Sequence, residues 1–579
     1  MTILKISAAA IVSIGAIAPM AGCGGGSDNA NVAAAPVVLT TVKAAVSCAS
    51  LVGMTIPASA IGLPTTGAVV SAATAVTDTD PAAAARDYCK ATGNILPVDP
   101  AASPIRFEVN LPTTWNQRAL QFGGGGTDGS VVTGLTAFTG APANIPTPLA
   151  RGYVTLGSDS GHDATGKPAF DTSFALNQEE LMNFAQLQVK KTVDVAKYLT
   201  QKVYGQKPRY TYFAGGSQGG HEAFDAAQRY PDDYEGVIAQ YPAYNLQNLW
   251  QGALAQAKAI YGNRSGVASA SWSNPAKIAN LAATVRNACD GLDGAVDGII
   301  GNIPGCNAAI TISTVRSTLR CANGADTGDS CFSDAQLAAI EKIGSPAQFS
   351  FAFAGGSTTY GKWPILEGAT FLNNHLGRTN TADQNKTPFV ADGTAFQYFP
   401  AKGDVTGFIT KNLSFDPLAF DPTQWVSRIQ ELSSVTDAVS TDLSRFTNRG
   451  GKMLLTHGAI DDSISPYNTI NYWNKLVAAN GQTAVDQFAR FYLIPGMGHG
   501  DGIFNAKTDW LSALEAWVEQ RETPGQLIAS DGNTAAATAA TNGRTRPLCL
   551  YGSFPKYTGP ATKTQAELNA ASSYTCATS

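Results

Sequence analysis

Short apolar segments recur from about residue 106 to the end of the chain, and stretches of mixed polarity separate them. Segments of this kind are typical of buried strands. Between Glu179 and Tyr204, apolar residues recur at steps of three and four, which predicts a long helix with one apolar face. This alternation predicts an α/β fold with a mostly parallel sheet covered by helices on both faces. We predict strands at 106–111, 119–122, 153–156, 210–214, 237–239, 453–456 and 491–494.

The alternation is lost between residues 243 and 444 and resumes at Lys452. The interrupted stretch is rich in Asn, Gly and Thr and contains four of the nine cysteines. We therefore predict a first core part at 46–242, an inserted lid domain at 243–444 and a second core part at 445–579. Insertions into parallel sheets commonly cover the carboxyl ends of the strands, where ligands bind.

The composition limits the classes of function. Hydrophobic residues make up 44% of the 579 residues, which supplies a large core and excludes a wholly disordered chain. The formal net charge is −5, and only 14% of the residues are charged. Because no surplus of basic residues is available to contact phosphates, we expect no binding to nucleic acid. No feature of the sequence specifies an oligomeric state.

The N-terminus resembles a bacterial export signal. Lys5 precedes an apolar segment at 6–22, which is shorter than the ~20 residues of a membrane span. A Met-Ala-Gly-Cys sequence at 20–23 is similar to a lipobox, so we expect a signal peptide through Cys23 and a lipid on that residue. A flexible tether is predicted at 24–45. The alternative is ordinary cleavage and a secreted product. The rest of the chain has no apolar segment long enough to span a membrane.

Eight further cysteines agree with export, because an even set in an exported chain indicates disulfides. Zinc is disfavoured, since the sequence has no Cys-x-x-Cys pair and no His at ligand spacing from a Cys. Many connectivities are open to eight cysteines, and the sequence alone does not choose among them. Proximity favours two short pairs and leaves two terminal pairs: Cys289–Cys306, Cys321–Cys331, Cys48–Cys89 and Cys549–Cys576.

A G-x-S-x-G sequence at 215–219 follows a predicted strand directly and precedes a helix-compatible segment. This order is that of a nucleophile elbow, in which a tight turn flanked by glycines raises a serine above the sheet. We therefore predict Ser217 as a nucleophile. The backbone N–H of Gln218, at the start of the helix, is predicted to stabilise an oxyanion.

A serine hydroxyl needs a base, and the base needs a carboxylate that orients it. In this type of fold the order along the chain is serine, acid, histidine. His499 fits best, because it lies in a glycine-rich loop after the last predicted strand. Asp461 follows the preceding strand and is the predicted acid, with Asp462 as the alternative. The competing interpretation is that Asp461 only caps a turn.

The chain has four other histidines. We expect His457, at the end of the strand that leads to the predicted acid, to be structural. His221 follows the elbow and is expected to pack on its helix. His162 is a candidate for bracing the site, and His375 is expected in the lid domain.

Four consecutive glycines, Gly123–Gly126, follow an early predicted strand. Without a Cβ in the way, their backbone N–H groups can approach an oxyanion closely. A phosphate-binding loop is the rival interpretation, but the segment lacks a Gly-Lys-Ser/Thr ending and dinucleotide spacing. We predict the second oxyanion donor at Gly126, with Gly125 next.

Asp290, Asp293 and Asp297 lie in one short glycine-rich segment. Carboxylates so close repel one another unless a cation is present, and hard oxygen donors suit Ca²⁺. The spacing is not that of an EF-hand, because no Glu closes the loop. We predict a structural Ca²⁺ that stabilises the lid domain, and the alternative is a solvated acidic turn.

Together these segments resemble the tannase and feruloyl esterase family of α/β-hydrolases, which includes a hydrolase of mono(2-hydroxyethyl) terephthalate. The resemblance covers the chain from Cys48 to Cys576 and implies the α/β-hydrolase fold with a large inserted lid domain. It rests on these segments: Gly123–Gly126, Gly157–His162, the Ser217 elbow, the 289–298 loop, His457–Asp461 and Gly496–His499.

The resemblance also implies details of the site. It implies the four disulfide pairs given above, and Ca²⁺ bound by the three Asp side chains together with the carbonyls of Ala295 and Ile299. Many family members have a cysteine directly before the nucleophile and another directly after the histidine, joined in a disulfide. Here both positions are glycine, Gly216 and Gly500, which leaves open how Ser217 and His499 are held.

The predicted function is an exported serine esterase that hydrolyses esters of aromatic acids, of the feruloyl, galloyl or terephthalate type, through an acyl-enzyme. Its partner is a small aromatic ester, and it contacts a membrane only through the lipid anchor. Phe396, Tyr398 and Phe399 are candidate contacts for the acyl group, although packing within the lid core is the competing interpretation. The alternatives are an acyltransferase or lactonase on the same triad, or a catalytically silent surface binding protein.

Overall fold

The computed structural model describes residues 39–77, 87–137, 140–262, 269–371, 395–533 and 543–578. The predicted leader with Cys23, most of the tether, and His375 lie outside these residues. Leu39–Ser579 forms one contact unit, so the segment predicted as an inserted lid domain belongs to the same unit as the sheet. No helix in the described part is long and apolar enough to cross a membrane.

Ten strands, numbered β1–β10 in chain order, form the main sheet. Its strand order is β10-β9-β8-β7-β5-β6-β4-β3-β2-β1. All neighbours from β10 to β6 are parallel, and those from β6 to β1 are antiparallel. The strands are Thr55–Ile56, Gly67–Val76, Tyr88–Leu96, Ile105–Pro112, Arg118–Phe122, Val154–Ser158, Tyr210–Gly216, Gly236–Gln240, Lys452–Gly458 and Ala489–Ile494.

The seven predicted strands are confirmed as β4–β10. The prediction missed the long antiparallel strands β2 and β3. The strand β2 consists largely of Ala, Ser, Thr and Gly, so the alternation of apolar and polar residues that marks a half-exposed strand is weak. In β3, Lys90, Thr92 and Asn94 do alternate with small or apolar residues, and the prediction overlooked this pattern. The sheet is therefore mixed, with its parallel half carrying the elbow and the turns that follow β9 and β10.

Helices cover both faces of the sheet, as predicted. Along β8, the side chains of Val237 and Ala239 pack in a cluster with helix α1 (Gln188–Tyr204) and helix α2 (Gln218–Gln228). Ile238, between them, packs on the opposite face with the helix Trp510–Glu515. This alternation is the period-two geometry of a strand buried on both sides.

The predicted helix 179–204 is present as three continuous parts, because a π-helical turn at Asn183–Leu187 joins Gln178–Met182 to α1. The helix ends at Gly205, whose φ of 77° is a left-handed conformation that glycine adopts without strain.

Between β8 and β9 the chain is mainly helical and packs around one large apolar cluster. Helix α3 (Leu246–Tyr261) begins this segment, and two short strands, Ala347–Gln348 and Thr359–Tyr360, pair within it. Its other α-helices within the described residues are Pro275–Cys289, Ile303–Ala309, Ile312–Leu319, Asp334–Ile343, Tyr398–Gly403, Val426–Thr436 and Ser444–Thr447.

After β9, helix α4 (Pro466–Asn480) starts with Ser465 as its N-cap and Pro466 at the first helical position. The C-terminal part adds a three-stranded antiparallel sheet and a hairpin. Their strands are Ala506–Lys507, Leu527–Asp531, Thr545–Leu548, Ser553–Tyr557 and Tyr574–Thr578.

All four predicted disulfide pairs are confirmed. Two of them close loops within the segment between β8 and β9, and the others fasten the N-terminal and C-terminal parts. They are Cys48–Cys89, Cys289–Cys306, Cys321–Cys331 and Cys549–Cys576.

Candidate active site

The nucleophile elbow joins β7 to α2. Ser217 is the N-cap of α2 and has φ 61° and ψ −121°, a conformation that non-glycine residues rarely adopt. A Cβ on Gly215 would lie 2.5 Å from the backbone of Gly219, and one on Gly219 would lie 2.9 Å from the backbone of Gly123. The turn therefore closes only with glycine on both sides of the serine.

His499 and Asp461 meet at the ends of neighbouring parallel strands. His499 lies in the loop after β10, and its Nδ1 is 2.8 Å from Oδ2 of Asp461 in the turn after β9. The other oxygen, Oδ1, accepts the backbone N–H groups of Ser463 and Ile464 at 2.9 and 3.0 Å. These bonds fix the buried carboxylate so that one oxygen faces the imidazole. The geometry brings Asp461 rather than Asp462 to His499.

Each member of this pair changes the pKa of the other. Burial alone would raise the pKa of Asp461, but the charges and hydrogen bonds of His499 and His457 hold it well below its ordinary value. Burial alone would lower the pKa of His499, but the Asp461 carboxylate outweighs burial and raises it above 6.5. Asp461 is therefore ionised at neutral pH, and His499 is a stronger base than free imidazole.

His457 is the second histidine beside the buried acid. Its Nε2 is 3.3 Å from Oδ2 of Asp461 and 2.9 Å from the carbonyl oxygen of Ile464. Its Nδ1 is 2.9 Å from the hydroxyl of Thr469 on α4. The imidazole is completely buried and thus ties the acid-bearing turn to α4.

Two of the four glycines after β5 are required by packing, and two open onto a cavity. A Cβ on Gly123 would lie 2.5 Å from Gly219, and one on Gly124 would lie 2.1 Å from the Asp128 carboxylate. Gly125 and Gly126 have free space around the Cβ position, and both line the cavity that Ser217 faces. The backbone of Gly126 has φ 62°, a conformation that suits glycine.

The cavity has a volume of about 430 Å³ and brings Ser217, Gln218 and His499 together with these glycines. No hydrogen bond joins the side chains of Ser217 and His499 within the described residues; such bonds are often long before substrate binds. The wall opposite is apolar. It is formed by Phe170, Ala243, Leu246, Leu249, Trp250, Ala253, Phe396, Pro400 and Ile464.

The three aromatic residues proposed from the sequence lie in different places. Phe396 lines the cavity and meets Phe170 edge to face, with ring centroids 5.1 Å apart. Tyr398 is 2% exposed in the apolar core of the segment between β8 and β9, and Phe399 packs against that core. Both residues lie in the first turn of the helix Tyr398–Gly403 and are not part of the cavity lining.

The sequence analysis missed Phe170 and Trp250. Leu246, Leu249, Trp250 and Ala253 recur at steps of three and four along α3, so a helical face could have been found from the spacing. Phe170 carried no such signal, because it lies in an irregular segment and has φ 59°.

A buried pair of carboxyl groups lies under the glycine run. Glu222 of α2 accepts the N–H of Gly124 at 3.1 Å and an amide N–H of Gln188 at 2.8 Å. Asp128 accepts the hydroxyl of Ser160 at 2.8 Å and is hydrogen-bonded to Glu222. Burial and the negative charge of Asp128 raise the pKa of Glu222 well above 4.5. The pair therefore shares a proton, and it fastens the glycine run to the helix that begins at Ser217.

The side chain of Tyr241 lies between Gly216, which precedes the nucleophile, and Gly500, which follows the histidine. A Cβ on Gly216 would lie 2.7–2.8 Å from the Tyr241 ring, and one on Gly500 would lie 3.2 Å from its hydroxyl. The ring centroids of Tyr241 and His499 are 4.5 Å apart. At both positions where the resemblance led us to consider cysteine, an aromatic ring stands against glycine.

The remaining histidines lie away from the cavity lining. His162 stacks on Phe174 with ring centroids 3.7 Å apart, and burial lowers its pKa to about 4. Its two nitrogens have no hydrogen-bond partner within the described residues. His221 is fully buried on α2, with Nε2 3.5 Å from Asp225.

The acidic loop, which contains Asp290, Asp293 and Asp297, lies next to the loop that carries His499. Asp290 accepts N–H groups of Asp297 and Gly298, and Asp293 accepts those of Ala295 and Gly301. Burial and the neighbouring carboxylates raise the pKa of Asp293 to about 7.

The third carboxylate of the acidic loop already has partners. Asp297 pairs with Arg546 and accepts the hydroxyl of Tyr574 at 2.9 Å. The donor types and the excess negative charge fit a hard cation, but no described group of three or more Asp, Glu, His or Cys side chains converges on one point.

Comparisons with known proteins give one consistent assignment. A sequence model described as tannase and feruloyl esterase matches residues 89–577. An uncharacterized esterase of Agrobacterium fabrum is 37% identical over 92% of this chain and 94% of its own length. The mono(2-hydroxyethyl) terephthalate hydrolase of Piscinibacter sakaiensis is 30% identical over 86% of each chain.

A solved structure agrees with this assignment at the level of fold. Feruloyl esterase B from Aspergillus oryzae superposes with a TM-score of 0.69 at 22% identity, over 89% of this chain and 98% of that one. The family match covers Ser217, Asp461 and His499 and every disulfide cysteine except Cys48. This chain belongs to the tannase and feruloyl esterase family of carboxylic ester hydrolases.

Proposed function

We propose that this chain is a serine esterase that hydrolyses esters of aromatic acids through an acyl-enzyme. One observation carries the proposal: a strained serine and an imidazole bound to a buried carboxylate line the same cavity. Ser217 is the nucleophile, His499 the general base and Asp461 the acid that orients it.

In the first step, the hydroxyl oxygen of Ser217 attacks the ester carbonyl, and Nε2 of His499 takes the hydroxyl proton. Asp461 stays ionised and holds Nδ1–H, which fixes the tautomer. The imidazolium then gives its proton to the leaving alcohol as the ester C–O bond breaks. Water attacks the acyl-enzyme in the same way, with His499 again as base, and Ser217 is released with its proton.

The negative charge on the carbonyl oxygen develops between two backbone elements. The N–H of Gln218 begins α2, and Gly125 and Gly126 line the cavity beside it. Donors that are already in place when this charge develops lower the barrier by ~3 kcal/mol each. Because the backbone N–H of Gly219 in α2 donates to the carbonyl of Gly124 at 3.1 Å, the spacing of the two elements is fixed before substrate binds.

The apolar wall supports an aromatic acyl group. Phe170, Trp250 and Phe396 offer ring faces and edges, and the volume of about 430 Å³ suits a single substituted ring with its ester. Feruloyl, galloyl and terephthalate esters are the classes we expect. Acyl transfer to an alcohol on the same triad would use the same cavity, and product analysis with added alcohol separates it from hydrolysis.

The direct test compares wild type, Ser217→Ala and Ser357→Ala, a serine outside the cavity, on p-nitrophenyl acetate. We expect Ser217→Ala to lose at least ~10⁴-fold in kcat and Ser357→Ala to match wild type. Equal rates for wild type and Ser217→Ala would overturn the proposal. Methyl ferulate, methyl gallate and mono(2-hydroxyethyl) terephthalate then rank the acyl groups by kcat/KM, and faster hydrolysis of aliphatic esters than of all three would contradict the aromatic assignment.

We also propose a structural Ca²⁺ held by Asp290, Asp293 and Asp297 with the carbonyls of Ala295 and Ile299. The support is the donor chemistry and the place of the loop. Ile299 lies 3.3 Å from the Cβ position of Gly496 in the His499 loop. Such an ion would take no part in the reaction. A chelator should lower Tm, and added Ca²⁺ should restore it; an unchanged Tm together with no metal by elemental analysis would remove this part.

Export and lipidation remain part of the proposal. The four disulfides support folding in an oxidising compartment. A fatty-acid label in the mature protein that Cys23→Ala abolishes is the expected result. Equal labelling of the two proteins, or no label in either, would contradict the anchor.

A further inference from the structure

Tyr241 stands at the junction of three elements of the site. It directly follows β8, which lies between β7, the strand of the elbow, and β9, the strand before Asp461. Its backbone N–H donates to the carbonyl of Thr456 on β9 at 2.7 Å. Its side chain lines the cavity that Ser217 and His499 share. The residue is 4% exposed, so its ring belongs to the packed wall.

The backbone at Tyr241 has φ 33°, a conformation that a bulky residue adopts only when its surroundings impose it. Glycine or asparagine would be the usual residue at such a position. An aromatic residue held in this conformation indicates that the placement of its ring matters.

The two glycines next to the reacting residues show where the ring is needed. The three atoms nearest to a Cβ on Gly216 all belong to Tyr241, at 2.7–2.8 Å. Among the described residues, and apart from its chain neighbours, the only atoms within 4 Å of a Cβ on Gly500 also belong to Tyr241. Gly216 has no positive φ that would require glycine, so the contact with Tyr241 is the tightest constraint observed at this position.

We infer that Tyr241 is a positioning residue, whose ring fixes the His499 imidazole relative to Ser217 by packing between Gly216 and Gly500. Asp461 holds one edge of the imidazole, and the Tyr241 ring covers it at a centroid distance of 4.5 Å and an interplanar angle of 53°. The two contacts together restrict the rotation of the imidazole. The inference rests on the proposed triad mechanism and adds the means by which its members are held.

The test is a double-mutant cycle of Gly216→Ala and Tyr241→Ala, measured as kcat and KM with p-nitrophenyl acetate. Tyr241→Ala should lower kcat ~10–100-fold, because a small displacement of a catalytic group has costs of this size. KM should change less than ~3-fold. Tyr241→Phe keeps the ring and should retain kcat within ~3-fold of wild type.

The cycle isolates the contact with the ring. Gly216→Ala alone should lower kcat, because its methyl group displaces the ring. In the Tyr241→Ala background the same substitution should cost nothing further, which is the non-additivity expected of residues in contact. Tyr241→Leu serves in place of Tyr241→Ala if the latter does not fold, as judged by Tm and circular dichroism.

Three results would overturn the inference. One is that the effects of Gly216→Ala and Tyr241→Ala on kcat are additive while the activity still depends on Ser217. This result would leave the triad intact and remove the role of the ring. Another is a rise in KM at unchanged kcat, which assigns Tyr241 to substrate contact only. The third is a wild type no faster than Ser217→Ala, which removes both this inference and the proposed function.

Discussion

Two sets of carboxyl groups lie near the nucleophile, and their pKa values are shifted in opposite directions. Asp461 has two histidines and two backbone N–H groups around it, and its pKa is held below the ordinary value. In the described part of the chain, no cation pairs with Asp128 or Glu222. Burial raises the pKa of both carboxyl groups, the charge of Asp128 raises that of Glu222 further, and the nearby Asp159 and Asp225 add to the effect.

The difference teaches that burial does not decide the state of a carboxyl group in this site; its partners do. The ionised Asp461 serves the imidazole, whose positive charge it stabilises. The pair, which shares one proton, holds the backbone of the glycine run through the hydrogen bond from the Gly124 N–H to Glu222. Both arrangements fix one catalytic element, His499 in the first case and the run ending at Gly126 in the second.

Removing the charge of Asp461 should have the largest effect. Asp461→Asn should lower kcat ~10⁴-fold, because the amide favours the wrong tautomer of His499 and no longer stabilises the imidazolium. Asp462→Asn, the alternative acid in the sequence, should stay within ~3-fold of wild type. A larger loss for Asp462→Asn than for Asp461→Asn, in the same ester assay, would exchange the two assignments.

Removing the hydrogen bond beneath the glycine run should cost less. Glu222→Leu should lower kcat ~10–100-fold at nearly unchanged KM, because it loosens one oxyanion element. Glu222→Gln should restore most of the activity, since a neutral amide can both accept the Gly124 N–H and donate to Asp128. Asp225→Asn on the same helix is the matched control, and an equal loss of kcat there would show that any buried acid of α2 matters equally.

The pH profile sharpens the comparison further. His499 must be neutral to act as base, so kcat/KM should fall as the pH drops through its raised pKa, above 6.5. In Asp461→Asn the charge that raises this pKa is gone, and the acid limb of the residual activity should move to lower pH. In Glu222→Gln the acid limb should stay in place. A limb that moves in Glu222→Gln and not in Asp461→Asn would contradict the assignment.

The smallest effect concerns stability. Glu222 has a raised pKa in the folded state, so its contribution to stability is present at low pH and is lost as the pH rises through that pKa. Gln does not titrate. The Tm of wild type minus that of Glu222→Gln should therefore decrease as the pH rises above 4.5, and an increasing difference would show that the pair is ionised in the fold.

Much of the site could be predicted from the sequence, because its chemistry depends on local signals. The G-x-S-x-G turn, the order of Ser217, Asp461 and His499, and the glycine run each mark a strand end by spacing alone. Proximity favoured the two short disulfide pairs and left the two terminal ones, and the family resemblance implied all four. The parallel strands were found because strands buried on both faces form continuous apolar segments.

The parts that could not be predicted depend on contacts between distant segments. Tyr241 gave no sequence signal, because its role depends on two glycines that are distant from it in the sequence. Gly216 precedes it in β7, and Gly500 follows it beyond β10. The hydrogen bond of Glu222 with Asp128 is likewise visible only when α2 packs under the glycine run. The strand β2 was missed because small residues carry little periodicity, and β3 was missed although its polar residues alternate with small or apolar ones.

The central claim is that Ser217 is the group that becomes acylated. Intact-mass and peptide mass spectrometry after treatment with diethyl p-nitrophenyl phosphate, an ester-like reagent that phosphorylates activated serines, tests it most directly. The account predicts one adduct per chain, on the peptide containing Ser217, with loss of ester hydrolysis in parallel. An adduct on another residue, or full modification with activity retained, would contradict it.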